Sequence, residues 1–301
     1  MNVKTRLGAL ELANPVVLTS GTAGYGKEIS PYLDINRVGA ITIKGLSLFP
    51  CSGNPPPRIY ESASGVLNSI GLENKGVERF IQEDIPFLET FSTRVITNIW
   101  GTDEQSYLDV ARVLTLVERV DGIEVNVSCP NVEKGGASFS CDLASLGSLI
   151  GKLRDVISKT FIVKLGPMKE NIGDVMVLLE HLDVDAVSIT NTFPALAVDV
   201  STQQVYFSRK TAGLSGPAIK PLALRMVYEA TQASDIPCIG MGGIASGTDA
   251  LEFLLVGARA VGVGTATLSN PVASMEILEG IHSWLSERGI ESVEDIIGKA
   301  R

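Results

Sequence analysis

Short apolar runs alternate along the chain with longer segments whose apolar residues recur at the spacing of a helix. Strands that alternate with helices are typical of repeated βα units and a parallel sheet. Strands are predicted at residues 16–19, 40–44, 94–100, 122–126, 161–165, 186–190, 238–241 and 260–264. Eight such units indicate a closed (β/α)8 TIM barrel.

Amphipathic helices are predicted between the strands, at residues 76–88, 103–119, 143–158, 172–182, 219–232 and 248–256. Several begin with Asp, Thr or Pro, which favour a helix start. The unit after Pro31 has the weakest helical pattern, and residues 3–12 are predicted to form a small N-terminal β-hairpin that closes the base of the barrel. We expect residues 1–301 to form one domain, because no linker interrupts the pattern.

Three connections are longer than the 2 to 6 residues usual between a strand and a helix. They cover residues 45–75, 128–142 and 191–217, and each leaves the carboxyl end of a predicted strand. That end of a barrel carries the active site, so we expect these long strand-end loops to be functional.

Charge and composition argue against several classes of partner. The formal net charge is −9 with no run of Lys or Arg, which argues against nucleic acid. Neither a signal peptide nor an apolar run near the ~20 residues of a membrane span is present, so we expect a cytoplasmic protein without a membrane partner. The spacing of the four cysteines predicts neither a zinc site nor an iron–sulfur cluster, so no metal site is expected.

Glycine pairs follow the last two predicted strands, Gly242-Gly243 after one and Gly264 with Thr265 after the other. In barrel enzymes these two loops frequently bind phosphate through backbone N–H groups. Ser215 and Gly216 lie in a similar glycine-rich segment upstream. The alternative is that the glycines only form tight turns. Their repetition in consecutive units favours a phosphate site.

Two lysines, Lys44 and Lys164, end the apolar strands ITIK and FIVK. A cation there could stabilise negative charge on a reduced flavin, although a solvated lysine or an internal ion pair is the alternative for each. No G-x-G-x-x-G follows an early strand, so a mononucleotide is favoured over a dinucleotide.

Cys129 lies between Asn126 and Asn131 on a predicted long loop. A thiol is a plausible general base because its ordinary pKa is near 8.5, although most single cysteines only pack. Further amides and turn residues lie on the other loops, at Asn68-Ser69-Ile70-Gly71-Leu72 and at Asn191-Thr192. Asparagines often form turns, but amides on one rim suit a planar ligand with imide and carboxylate groups.

These motifs together resemble the dihydroorotate dehydrogenase family over nearly the whole chain. The resemblance is carried by SGTAGYGKE at 20–28, TIKGLS at 42–47, GNPPPRI at 53–59, NSIGLEN at 68–74, NIWG at 98–101, NVSCPN at 126–131, VKLGP at 163–167 and GLSGPAIKP at 213–221. It implies oxidation of dihydroorotate to orotate in pyrimidine (UMP) biosynthesis, with Cys129 as the base and FMN as hydride acceptor.

The resemblance also assigns the site residues. Those implied for substrate are Lys44, Asn68, Ser69, Ile70, Gly71, Leu72, Asn126, Asn131, Asn191 and Thr192. Those implied for FMN are Ser20, Gly21, Lys44, Gly45, Asn98, Asn126, Lys164, Thr190, Ser215, Gly216, Gly242, Gly243, Gly264 and Thr265.

Within the family, GNPPPRI, NIWG and CPNVEKGG resemble the class 1B catalytic subunit, not the fumarate-using class 1A. Class 1B implies a separate electron-transfer subunit that carries FAD and a [2Fe–2S] cluster, passes electrons to NAD, and forms a heterotetramer of two chains of each kind. The chain departs from the family pattern at Gly166-Pro167-Met168, at Phe193-Pro194-Ala195 and at Ala212. These departures bear on fine specificity.

Two other functions remain open. One is a related barrel flavoprotein with another acceptor, such as fumarate, or another pyrimidine substrate. The other is a non-catalytic barrel that binds a phosphate ligand and serves as a subunit for a partner.

Overall fold

A parallel eight-stranded barrel organises the computed structural model, which describes residues 1–127, 142–168 and 171–301. Its strands are Val16–Leu18 (β1), Ala40–Leu46 (β2), Arg94–Ile99 (β3), Gly122–Asn126 (β4), Thr160–Leu165 (β5), Ala186–Ile189 (β6), Cys238–Met241 (β7) and Ala260–Val263 (β8). Neighbours in the chain are neighbours in the barrel, which closes where β8 pairs with β1. The predicted barrel and all eight strands are confirmed.

The base of the barrel is closed by an N-terminal hairpin, as predicted. Strands Thr5–Leu7 and Leu10–Leu12 pair antiparallel. Their leucines join one apolar cluster with residues that point into the barrel from its strands, among them Val17, Ile96 and Ile162. The hairpin therefore fills the amino end of the barrel and leaves the carboxyl end for the site.

Helices surround the barrel. They span Val77–Glu83, Ile85–Leu88, Glu104–Thr115, Leu143–Val156, Ile172–His181, Lys220–Ala233, Gly247–Leu255, Ala266–Ser269 and Ala273–Glu287. Side chains of Asp103, Asp142, Asn171 and Ser246 accept backbone N–H bonds at four of the helix starts, which satisfies donors that the helix leaves unpaired. Within the described residues, no helix combines the length and apolar character needed to cross a bilayer.

Two helix predictions need correction. The segment at 76–88 is not one helix, because it divides at Asp84. Pro86 lacks the N–H that a continuous helix needs, and its ring clashes with the carbonyl four residues earlier. After Pro31 the structure forms only a 3-10 turn, Ile35–Arg37, with Asp34 at its start.

We had expected the three long connections to be loops, but two of them contain regular strands. They contribute four antiparallel strands in the order Phe193–Leu196, Thr211–Ser215, Gly65–Asn68 and Ile59–Ser62. We call this the cap sheet. It has a small core of its own, formed by Leu67, Ala197, Phe207 and Ala212. A smaller pair, Val198–Asp199 with Gln204–Val205, extends the second connection.

Candidate functional site

The inside of the barrel changes from apolar to polar along the strands. On β3, Ile96 belongs to the apolar cluster and Asn98 lies two residues further on; on β5, Ile162 and Lys164 have the same relation. Because side chains two residues apart share a face of a strand, the polar residues follow the apolar ones toward the carboxyl end. A polar layer therefore lies above the apolar base.

Glu124 is at the centre of this layer and is 1% exposed. Its carboxylate accepts hydrogen bonds from Asn98 Nδ2 at 2.6 Å and from Ser188 Oγ at 2.5 Å. Lys164 Nζ lies 3.7 Å from Glu124 Oε1 and donates to Ser20 Oγ at 3.4 Å. Three predicted cofactor residues, Ser20, Asn98 and Lys164, are thus brought together.

Glu124 and Ser188 were not among the residues predicted from the sequence. A signal for Glu124 was available, because it is the one charged residue inside the apolar run of β4. Lys164 forms the internal ion pair that we had left open as an alternative to a role at the cofactor.

Four of the predicted substrate residues form a continuous series of contacts. Asn191 Nδ2 donates to Asn126 Oδ1 at 3.3 Å, and Asn191 Oδ1 accepts the backbone N–H of Thr192 at 2.8 Å. A Cβ added at Gly213 would lie 2.7 Å from Thr192 Cβ, so Thr192 lies against the cap sheet. There Asn68 pairs with Gly213 and donates to its carbonyl at 3.2 Å. Asn126 also pairs in register with Lys164, which joins this series to the polar layer.

Residues 68–72 are shaped by Asn54, which the sequence analysis also missed. Asn54 is buried, and its Nδ2 donates to the carbonyl and the hydroxyl of Ser69 at 3.1 and 3.0 Å. Its backbone N–H donates to the Ile70 carbonyl at 2.9 Å. At Gly71 φ is +76°, and a Cβ would come within 2.5 Å of Asn54 Cγ, so glycine is required there. Leu72 follows with φ +60°.

The glycine-rich segments converge on one side of the barrel mouth. Gly243 has φ +78°, and a Cβ there would lie 2.9 Å from the Gly216 carbonyl oxygen. A Cβ at Gly216 would lie 3.5 Å from Thr265 Cγ2. No acceptor for the backbone N–H of Gly243 or Thr265 is found within the described ranges. Such N–H groups bind anions.

The other predicted residues of this group lie close by. A Cβ at Gly242 would lie 3.5 Å from Thr190 Cγ2, and one at Gly264 would lie 2.6 Å from Thr19 Oγ1. Ser215 Oγ donates to the Val66 carbonyl at 3.3 Å, within the cap sheet. The Cβ at Gly242 would also lie 2.8 Å from Ala223 Cβ, so neighbouring side chains restrict the space at both glycines.

An ion-pair cluster supports the Gly243 loop from behind. Lys220 Nζ lies 2.7 Å from Asp249 Oδ1 and 2.9 Å from Glu252 Oε2. Hydrogen bonds to Asp249 and Glu252 raise the pKa of Lys220. Burial raises the pKa of Asp249, but hydrogen bonds from Lys220, Ser246 and the Ala245 N–H together lower it. The cluster therefore fixes residues on both sides of the loop.

Lys44, Gly45 and Gly21 are placed by the ends of β1 and β2. Lys44 is half-buried, and no hydrogen-bond or ion-pair partner of its ammonium is found in the described part of the chain. A Cβ at Gly45 would lie 2.7 Å from Asn98 Oδ1, so Gly45 faces the polar layer, whereas a Cβ at Gly21 would meet nothing within 4 Å. Buried Trp100 Nε1 has no hydrogen-bond partner among the described residues. These groups offer donors and space to a ligand.

Two predicted residues, Cys129 and Asn131, lie outside the described residues. Of the cysteines that the structure describes, Cys238 is fully buried, and burial raises its pKa to about 12. Cys51 is half-buried, with Sγ 3.6 Å from the Gly71 carbonyl oxygen. A buried thiol of high pKa does not serve as a base at neutral pH.

The departures from the family pattern that the structure describes have structural roles. Phe193, Pro194 and Ala195 lie in the first cap-sheet strand and pair with Leu214, Gly213 and Ala212. Ala212 is buried in the cap-sheet core, and Met168 packs against the main core. These residues therefore take part in the packing of the cap sheet and of the main core.

Known proteins of one family match this chain over nearly its whole length. A family model described as dihydroorotate dehydrogenase matches residues 2–285. A Thermoanaerobacter sp. (strain X514) protein named dihydroorotate dehydrogenase B (NAD(+)), catalytic subunit, is 46% identical over 304 residues, which cover 100% of this chain and 99% of that one. A protein of the same name from Trichlorobacter lovleyi is 46% identical over 98% of this chain and 97% of its own.

A solved structure gives the same fold at low identity. The Eimeria tenella DHODH, crystallised in complex with ferulenol, superposes with a TM-score of 0.82 at 21% identity. The match covers 99% of this chain and 88% of that one. At this identity the likeness supports the barrel fold alone.

Proposed function

Because the chain belongs to the dihydroorotate dehydrogenase family, we propose that it is the catalytic subunit of an FMN-dependent, NAD-linked enzyme that oxidises dihydroorotate to orotate in pyrimidine biosynthesis. Its 301 residues would act as one domain. The observation that carries the proposal is the series of contacts from Asn126 through Asn191 and Thr192 to Asn68, which meets the polar layer at Lys164.

FMN fits the groups on the barrel mouth. Gly216, Gly243 and Thr265 would hold its phosphate in a cradle of close glycine backbones, because the N–H groups of Gly243 and Thr265 have no acceptor among the residues that the structure describes. Lys164 and Asn98 would contact the ring from the polar layer. When bound, FMN supplies the acceptor for the hydride that leaves the carbon bearing the carboxylate.

The substrate would lie between the cap sheet and the polar layer. Asn68, Asn126, Asn191 and Thr192 offer both donors and acceptors, which suits a pyrimidine with imide groups. Lys44 would pair with the carboxylate, because its ammonium has no other partner in the described part of the chain. Fixed amides and a cation orient the ring for reaction.

Cys129 would remove the proton from the ring carbon next to the carbonyl. A positioned base typically contributes ~10²–10⁴ in rate. We therefore expect Cys129→Ala to retain FMN and lose turnover by about that factor, as measured by dihydroorotate oxidation with a dye acceptor. Cys129→Ser should also be impaired, because a hydroxyl is a much weaker base than a thiolate. A Cys129→Ala enzyme with the turnover of wild type would contradict the assignment.

Electrons would leave through a second subunit, as the name of the relatives suggests by specifying a catalytic subunit and NAD(+). We propose that this partner carries FAD and a [2Fe–2S] cluster and forms a heterotetramer of two chains of each kind. The site on this chain has no dinucleotide fingerprint, which is consistent with NAD reduction on the partner.

The test is to purify the chain with and without its candidate partner. We expect a yellow protein that oxidises dihydroorotate with a dye, and reduces NAD only in the mixture. A colourless protein would favour the non-catalytic subunit instead. Activity with fumarate, or a preference for dihydrouracil over dihydroorotate, would favour a related flavoprotein.

A further inference from the structure

We propose that Glu124 is a positioning residue that acts as the counter-charge of Lys164 without accepting a hydrogen bond from its ammonium, so that donors remain for the cofactor. The role toward the cofactor rests on the proposed function, whereas the charge pair itself does not.

The carboxylate joins four adjacent strands inside the barrel. Asn98 lies on β3, Glu124 on β4, Lys164 on β5 and Ser188 on β6. Asn98 pairs in register with Glu124, and Ser188 pairs with Lys164. The two neutral donors therefore approach the carboxylate from both sides, and its position is fixed by the barrel.

The partners of Glu124 lie at two different distances, which indicates different interactions. Asn98 and Ser188 make short hydrogen bonds to Glu124, at 2.6 and 2.5 Å, whereas Lys164 Nζ stays at 3.7 Å from the carboxylate. That distance is too long for a hydrogen bond but short enough for strong attraction in a buried site. Ser20 Oγ, at 3.4 Å, is also a distant acceptor.

Among the described residues, the ammonium of Lys164 therefore has a counter-charge but not a full set of hydrogen-bond acceptors. An ammonium has three donors, and a buried charge is costly without a counter-charge. Lys164 is only 7% exposed, so little water reaches its charge, and Glu124 supplies the counter-charge instead. The arrangement keeps a cation at the cofactor ring, while the charges of Lys164 and Glu124 sum to zero.

The two single substitutions should shift the reduction potential of bound FMN in opposite directions, and the double substitution should bring it back toward wild type. Glu124→Gln preserves shape and leaves a cation, so the potential should rise, because extra positive charge favours the reduced flavin. Lys164→Met leaves an anion, so the potential should fall. The double variant E124Q/K164M restores neutrality and should return toward wild type. Equilibration with a reference dye measures each potential.

Ser188→Ala is the matched control, because it removes a hydrogen bond to Glu124 and changes no charge. Its potential should shift much less than that of Glu124→Gln, because the charge of the carboxylate remains. A merely structural role of Glu124 would move all variants in one direction. If Glu124→Gln alone does not fold, adding it to Lys164→Met should still raise the potential, and no rise would overturn the inference.

A measurement without flavin separates this inference from the proposed function. In apo-protein thermal unfolding, Glu124→Gln and Lys164→Met should each lower the melting temperature, and the double variant should lose less than the sum of the two. Additive losses would contradict the charge pair. A wild type that binds no FMN would refute the proposed function, whereas FMN binding with unchanged potentials would refute only the role of Glu124.

Discussion

Gly243→Ala tests whether the glycine cradle is built for a ligand. Gly243 has φ +78°, and an added Cβ would lie 2.8 Å from Lys220 Cβ and 2.9 Å from the Gly216 carbonyl oxygen. The substitution therefore combines an unfavourable backbone conformation with a collision against backbone that must move. Gly289 offers a matched control, because it has φ +63° and nothing within 4 Å of an added Cβ.

The magnitudes follow from these two geometries. Left-handed backbone costs an L-residue about 1–2 kcal/mol, and both substitutions share this cost. They also share the loss of unfolded-state freedom on going from glycine to alanine, so that effect cancels between them. Overpacking adds about 1–3 kcal/mol at Gly243 alone. The free energy of unfolding should thus fall by about 1–3 kcal/mol more for Gly243→Ala than for Gly289→Ala.

Ligand binding gives the second part of the assay. Shifting the cradle should lose at least one hydrogen bond to a charged phosphate, about 1.5–3 kcal/mol, so the Kd for FMN should rise about 10- to 150-fold. Urea unfolding of the apo-protein and titration with FMN measure the two effects. Equal losses of stability and equal affinities for FMN in Gly243→Ala and Gly289→Ala would refute a ligand-binding role of these glycines.

Two further predictions concern titrating side chains. Burial raises the pKa of Cys238 to about 12, so this thiol should stay unmodified by iodoacetamide at pH 8 in the native protein and react only after unfolding. Peptide mass spectrometry measures the labelling, and labelling of Cys238 in the native state would contradict the prediction. Because the pKa of Lys220 is raised, the stability from its ion pairs should be complete below its ordinary value of 10.5 and lost as the pH rises through the folded-state pKa. Lys220→Met should therefore be less stable than wild type in urea at pH 7, with a difference that shrinks above pH 10.5, and a constant difference would exclude this origin.

Local pattern determined the barrel. Runs such as residues 238–241 and 260–263 are apolar on both faces, and only strands covered by helices outside and by core inside bury both faces. The hairpin was also predictable, because Leu7, Leu10 and Leu12 alternate with polar residues over a short span. Gly242, Gly243 and Gly264 likewise predicted from the sequence a phosphate site at the barrel mouth.

Only the tertiary structure decided how distant segments meet. The cap sheet pairs Asn68 with Gly213, 145 residues apart, and no local periodicity encodes such a partner. Glu124 received its role in the same way, because Asn98, Lys164 and Ser188 reach it from neighbouring strands once the barrel closes. Sequence periodicity specifies which faces of an element are buried, whereas the identity of the groups that face each other is fixed by closure of the sheet.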